Sequence, residues 1–230
     1  MRWTLLWATI LAGCTATAPV PEGWTSQAPR DEIRPAFSVD GKGALVITHD
    51  RREGLQGSWN RTFEVEGGRH YRFRATRRVE GVELPRRSAV VRLLWKDEKG
   101  RDVLLDETWT RDVLKNFKLT AEAEHPVDGA TDAGGWTEVS GVYLAPSKAK
   151  KAIIELHLDW APGGRVEWSE VSFAECPPPA PRKVRLAAVH HRPTGKTVEE
   201  NLRAYEPLIE DAARRKADLV VLGETLTYPG

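Results

Sequence analysis

The stretch GRHYRFRAT, residues 68–76, decides the fold of most of this chain. Tyr71, Phe73 and Ala75 alternate there with Arg72, Arg74 and Thr76. Successive side chains of a strand point to opposite faces, so a period of two predicts a strand with one buried and one wet face. The same alternation returns in IIELHLDW, where Ile154, Leu156, Leu158 and Trp160 interleave with Glu155, His157 and Asp159. Further strands are expected at Ala44–Thr48, Trp59–Val65, Ala89–Trp95, Val103–Asp106, Thr137–Leu144 and Val166–Phe173. Glycine-rich turns part them, among them Asp40-Gly41-Lys42-Gly43 and Ala161-Pro162-Gly163-Gly164. Short antiparallel strands with little helical signal predict a mainly β fold, a jelly-roll β-sandwich over residues 35–175.

The pattern changes behind Pro177-Pro178-Pro179-Ala180-Pro181, a stiff linker spanning residues 176–182. Lys183–Val189 reads as a strand. Thr197-Val198-Glu199-Glu200 has the form of a capping box, with Thr197 capping the first amides and Glu200 reaching back. Leu202, Tyr205, Leu208, Ile209, Ala212 and Ala213 follow at helical spacing, and Pro207 is expected to kink that helix. Leu219-Val220-Val221-Leu222 is a continuous apolar run, as in a parallel strand covered on both sides. Residues 183–230 thus predict a truncated α/β segment, a βαβ unit. Such a unit cannot bury both of its faces alone, so the sequence reads as a fragment of a longer protein.

The N-terminus, MRWTLLWATILAGC, is expected to be a processed leader rather than part of the fold. Its apolar stretch, Trp3 to Leu11, is shorter than the roughly 20 residues a membrane helix needs. Leu11-Ala12-Gly13-Cys14 resembles the bacterial lipoprotein box, which implies cleavage after residue 13, lipidation of Cys14 and anchoring of an exported protein to the cell envelope. A secretory cut after Ala16-Thr17-Ala18, or an unmodified cysteine in a discarded leader, are the other readings. Residues 14–34, rich in proline, alanine and small polar residues, read as a tether. With Cys14 acylated, Cys176 has no intrachain partner, and its proline-flanked setting makes it a poor nucleophile.

With 34 basic and 33 acidic residues the net charge is only +1, which argues against a nucleic-acid partner. Arg72, Arg74, Arg77 and Arg78 form a local basic face that reads as solvated. Nine tryptophans suit broad packed sheets or ligand platforms. Trp95, Trp109 and Trp160 are the candidates for stacking on sugar rings, with core packing as the plainer alternative.

Two family resemblances sharpen these expectations. Lys183–Val189, Asn201-Leu202 and Ala217-Asp218-Leu219-Val220-Val221-Leu222-Gly223-Glu224 together resemble the opening of the nitrilase, or carbon–nitrogen hydrolase, superfamily. That resemblance implies the start of a four-layer αββα sandwich and hydrolysis of an amide or nitrile through a Glu–Lys–Cys triad. Glu224 would be the general base. No metal or organic cofactor is implied, and the full-length enzyme would be a homo-oligomer. Two positions depart from the family pattern: Gly223 stands where proline is common, and His190-His191 where relatives show glutamine. Without the family, Glu224 is an ordinary acid at a strand end. No lysine or cysteine follows Glu224 in the sequence, so this chain alone is expected to be inactive. Gly134–Pro146 and Arg165–Phe173 resemble the closing half of a carbohydrate-binding-module-like jelly roll. Ser169-Glu170 replace the paired aspartates of such modules, which argues against a structural calcium. A surface-anchored carbohydrate-binding module without catalysis is the alternative function.

Overall fold

The computed structural model describes residues 18–106, 119–224 and 226–228. Cys14 and Trp109 lie outside them. The chain divides into two compact units, Met1–Pro178 and Pro179–Gly230. No helix among the described residues is long and apolar enough to cross a membrane.

The first unit is a sandwich of two antiparallel sheets. One holds β1 (Thr25–Gln27), β4 (Gln56–Glu64), β9 (Lys151–Asp159) and β6 (Val91–Lys96), in the order β1-β4-β9-β6. The other is ordered β2-β3-β10-β5-β8-β7, from β2 (Ala36–Val39), β3 (Leu45–Thr48), β10 (Arg165–Cys176), β5 (His70–Glu80), β8 (Thr137–Leu144) and β7 (Val127–Thr131). From β4 onward the chain passes repeatedly between the two sheets, the jelly-roll habit. A single-turn helix, α1 (Pro85–Ser88), precedes β6.

Alternation puts the core between the sheets. Phe73 on β5 and Ile154, Leu156 and Leu158 on β9 are fully buried, and so are Leu93 and Trp168. Tyr71 stacks on Phe173 with ring centroids 5.2 Å apart, and Trp95 packs within 6.3 Å of both rings. Trp59 meets Phe37 edge to face and donates its indole N–H to Val46 O at 3.1 Å. The pairing of β10 with β5 shifts register between Ser169 and Ser172, and Glu170 there takes a left-handed φ of 52°.

The structure departs from the sequence reading in four places. The tether ends sooner than expected: Trp24 is buried, and Thr25–Gln27 pair with Asn60–Ser58 as an edge strand. Three residues are too few to show a period. Val103–Asp106 forms only an isolated bridge, Leu104 to Thr120, rather than a strand. Val127–Thr131 forms a strand that the sequence does not announce, because it is an almost wholly exposed edge. Arg77 does not join the basic face. It shares the parity of Tyr71, Phe73 and Ala75, points inward, and is only 4% exposed.

In the second unit β11 (Leu186–Ala188) and β12 (Leu219–Val221) pair in parallel, joined through α2 (Val198–Arg214). Thr197 Oγ1 accepts from Glu200 N–H at 3.1 Å, as a cap should, while the Glu200 carboxylate accepts from Lys196 N–H, one residue earlier than a capping box requires. The helix runs through Pro207. Tyr205 and Asn201 are buried; Leu186, Leu219 and Val221 are each at least half exposed.

The core makes a contrast that unfolding can measure. Phe73→Ala should cost about 3–5 kcal/mol in urea denaturation. Arg72→Ala, one residue away on the wet face, should stay within about 0.5 kcal/mol of the parent.

Candidate functional site

The strand β9 carries the site's main features on its outer face and at its end. Its inner residues are the aliphatic core; its outer residues Glu155, His157 and Asp159 form a charged row. Directly opposite on β4 stand Asn60, paired with Glu155, and Ser58, paired with His157. Ser58 donates to Asn60 Oδ1 at 2.6 Å, and Asn60 in turn donates to Gln27 Oε1 at 3.1 Å. Arg92, across from Glu155 on β6, approaches that carboxylate to 3.5 Å. A depression of about 200 Å³ opens over this row, lined by Gln27, Ser58, Arg92, Glu155 and His157 among others.

His157 is held between two carboxylates. Its Nε2 lies 3.1 Å from Glu155 Oε2 in hydrogen-bonding geometry. Its Nδ1 lies 3.4 Å from Asp159 Oδ2, near enough for ion pairing but too poorly aligned for a hydrogen bond. Burial, the largest single influence, opposes the charged ring. Asp159 and Glu155 together outweigh it and raise the imidazole from 6.5 to about 9. Burial also opposes ionisation of Glu155, but His157, Arg92 and Lys96 together hold that carboxyl below its ordinary range.

Trp160 follows Asp159 directly, and its backbone breaks the alternation. Its φ of 53° lies in the left-handed region, which a bulky side chain rarely adopts. Its N–H donates to Leu55 O at 2.9 Å, and the turn behind it closes through Gly164 N–H to Ala161 O at 2.8 Å. Gly164 admits no larger residue, since a Cβ there would sit 2.9 Å from Ala161. The result is an indole 56% exposed at the lip of a groove of about 350 Å³. Leu84 and Pro162 give that groove apolar wall, and Glu83, Arg87 and Ser88 give it hydrogen-bonding groups.

The three tryptophans proposed from sequence therefore do not form one platform. Trp95 is in the aromatic core at 2% exposure, because it shares the inward parity of Val91 and Leu93. Trp109 is outside the described residues. Of the two that are described, Trp160 presents its ring to a groove. The polar row beneath it was visible as the wet face of a strand, but nothing in the alternation marks His157 and Asp159 as buried.

In the second unit Glu224 stands in an exposed turn three residues past the end of β12. The loops around it are tied to α2. Asn201 Oδ1 accepts from Gly195 N–H at 2.7 Å, and its Nδ2 donates to Tyr228 O at 2.9 Å. Tyr205 donates its hydroxyl to His191 O at 2.8 Å, and the His191 ring meets the Tyr205 ring edge-on. His191 thus packs against the helix. Among the described residues no group of three or more His, Cys, Asp or Glu side chains is arranged to hold a metal ion.

The charge on His157 gives the sandwich a signed pH response. A pKa raised on folding contributes stability that is complete below the unfolded value of 6.5 and is lost as pH rises through about 9. Thermal melts should show Tm falling between about pH 6.5 and 10, and His157→Gln should flatten that slope. An unchanged slope in the variant would show that His157 is not the charged member of the row.

Comparison with known proteins gives limited company. No family model matches the chain, and no curated protein matches it. Among solved structures it is similar to the enzymatically active domain of tailspike protein 4 of bacteriophage CBA120, at a TM-score of 0.48 and 12% identity, covering 67% of this chain and 20% of that one. A family 16 carbohydrate-binding module aligns at a TM-score of 0.42 and 13% identity, over 61% of this chain and 86% of that one. The CBM22-1 and GH10 modules of endo-1,4-β-D-xylanase 10B from Clostridium thermocellum, complexed with xylohexaose, align at 0.42 and 12%, over 88% and 36%. The chain thus spans about a fifth of the tailspike domain and about a third of the xylanase. The jelly-roll sandwich itself rests on the chain's own strand order.

Proposed function

We propose that the β-sandwich is a carbohydrate-binding module whose ligand stacks on Trp160. The observation that carries this reading is an exposed indole fixed by strained backbone at the lip of a groove. Backbone strain of this kind costs of order 1–3 kcal/mol and persists where the surrounding structure or a function requires it. An aromatic face suits the C–H surface of a pyranose ring, and Glu83, Arg87 and Ser88 supply donors and acceptors for its hydroxyls. Cys14, if acylated, would hold such a module at the cell envelope, where polysaccharide is at hand.

A second reading belongs to the second unit and is independent of the first. A parallel strand pair with a helical crossover, and a carboxylate just past the carboxyl end of its second strand, is the geometry in which open α/β sheets meet ligands. Together with the sequence resemblance of residues 183–224, this supports the opening of a carbon–nitrogen hydrolase domain with Glu224 as general base. In that chemistry a carboxylate takes the proton of a cysteine thiol and the thiolate attacks the carbon. An amide then expels its amine, which takes up the proton, and leaves a thioester; a nitrile gives a thioimidate, which water converts to the thioester with loss of ammonia. Water hydrolyses the thioester to the acid and restores the thiol. The reading requires a lysine and a cysteine downstream of Glu224. It also requires further elements over Leu186, Leu219 and Val221, whose exposure is unlike that of a finished parallel sheet.

Affinity electrophoresis against a panel of soluble glycans tests the first reading. A glycan that retards the parent should be bound about tenfold or more weakly by Trp160→Ala, with the thermal midpoint unchanged. Undiminished retardation would remove the groove from consideration. For the second, the reading frame continued past residue 230 should encode the two missing triad members. In that longer protein Glu224→Gln should lower amide hydrolysis by about 100-fold or more while the fold is kept. A stop codon directly after Gly230, or full activity in the variant, would sink it.

A further inference from the structure

A third cavity, of about 320 Å³, opens beside the edge strand β7 and has a different chemistry. Its buried floor is Arg77, the inward-pointing member of the arginine run on β5. The Arg77 guanidinium donates through Nη1 to Ala89 O at 2.7 Å and through Nη2 to Asp128 Oδ2 at 2.8 Å. It also lies over the Trp168 ring, 5.8 Å from its centroid. Its Nε is buried and has no acceptor. A buried donor left unsatisfied costs about 1–3 kcal/mol, so the charge of this floor is not fully matched by its own partners.

Charge at the mouth is not balanced. Arg86 reaches the same Asp128 oxygen at 3.6 Å from a side chain that is otherwise mostly in solvent. Two guanidiniums therefore share one carboxylate, leaving one positive charge without a counter-ion among the described groups that line the cavity. His125 stands among the lining residues. The walls are aliphatic: Val91 and Val139 are buried, and Val127 lies on the open edge. A bare inorganic anion would leave those walls wet, and an uncharged hydrocarbon would leave the excess positive charge of the two guanidiniums unmatched. Both defects are removed by one ligand class.

We propose that this cavity binds a small carboxylate with an apolar body, the body against the valines and the carboxylate at Arg86 and the Arg77 floor. The inference is independent of the Trp160 groove, and neither result bears on the other.

Benzoate and its uncharged isostere benzamide test it by calorimetric or NMR titration of the full chain. Benzoate should bind saturably, and benzamide at least about tenfold more weakly. Inorganic phosphate at equal concentration should fail to displace benzoate. Arg86→Gln should weaken benzoate about five- to tenfold with an unchanged melting temperature, since the side chain is exposed; Val127→Asp, also exposed, should weaken it further through repulsion. Four results overturn the proposal: no binding of benzoate, equal affinity for benzoate and benzamide, displacement by phosphate, or indifference to both substitutions. The comparison of the two probes on the unaltered chain holds even if a variant folds poorly.

Discussion

The register of β9 between β4 and β6 is the constraint on which the first unit depends. Opposite Leu156 stand Trp59 on one side and Val91 on the other, all three inside. A strand's side chains alternate with period two, so a slip of one residue would exchange its faces entirely. Glu155, His157 and Asp159 would then enter the core, and Ile154, Leu156 and Leu158 would meet water. Burying three ionisable groups among aliphatic side chains costs far more than any alternative pairing could return. The same register fixes where the charged row sits against Asn60 and Arg92, and where the strand ends in Trp160. Core and candidate site are set by one alignment.

What the sequence made legible follows the strength of that alternation. β5, β8 and β9 are long and half-buried, and their apolar positions announce them. β1 and β7 are edge strands, the first of three residues and the second almost wholly exposed, so neither has a buried face to create a pattern. Parity alone would have placed two residues better. Arg77 lies in step with Phe73 and Ala75, and its inward course was readable from spacing, although arginine in a core is rare. Trp95 lies in step with Val91 and Leu93. Trp160 is the instructive opposite: it lies in step with Leu156 and Leu158, so alternation directs it inward. A left-handed backbone at that single residue turns it out. No periodicity encodes a dihedral sign, and the residue on which the proposed stacking rests was the one the pattern misplaced.

The second unit shows a different limit. Its helix, cap and apolar strand were readable because each is local. The buried amide of Asn201 was not, since its partners Gly195 and Tyr228 lie on either side of it, in loops past the ends of two different strands. That one side chain ties the loop after β11 to the segment after Glu224. A carboxylate serving as a base needs such fixed surroundings more than it needs a particular sequence beside it. The exposed Leu186, Leu219 and Val221 belong to the same logic, since a parallel pair is stable when layers cover both its faces.

The two buried charge clusters of the sandwich have a common effect. His157 among its carboxylates, and Arg77 with Asp128, are charged groups taken out of water, and each is held there by the partners it keeps. Shifting β5 against β7 would part Arg77 from Asp128, and shifting β6 against β9 would part Arg92 from Glu155, and each leaves a charge without its partner. One cluster lies on each sheet: the first joins β9 to β6 through Arg92, and the second links β5 to β7. Each therefore penalises slippage where aliphatic packing alone is tolerant, since one valine or leucine can replace another at modest cost. Whatever their part in the depth of the native minimum, these charges restrict which arrangement occupies it. They do so beside the two cavities, where a displacement of one residue would carry Trp160 or Arg77 out of place.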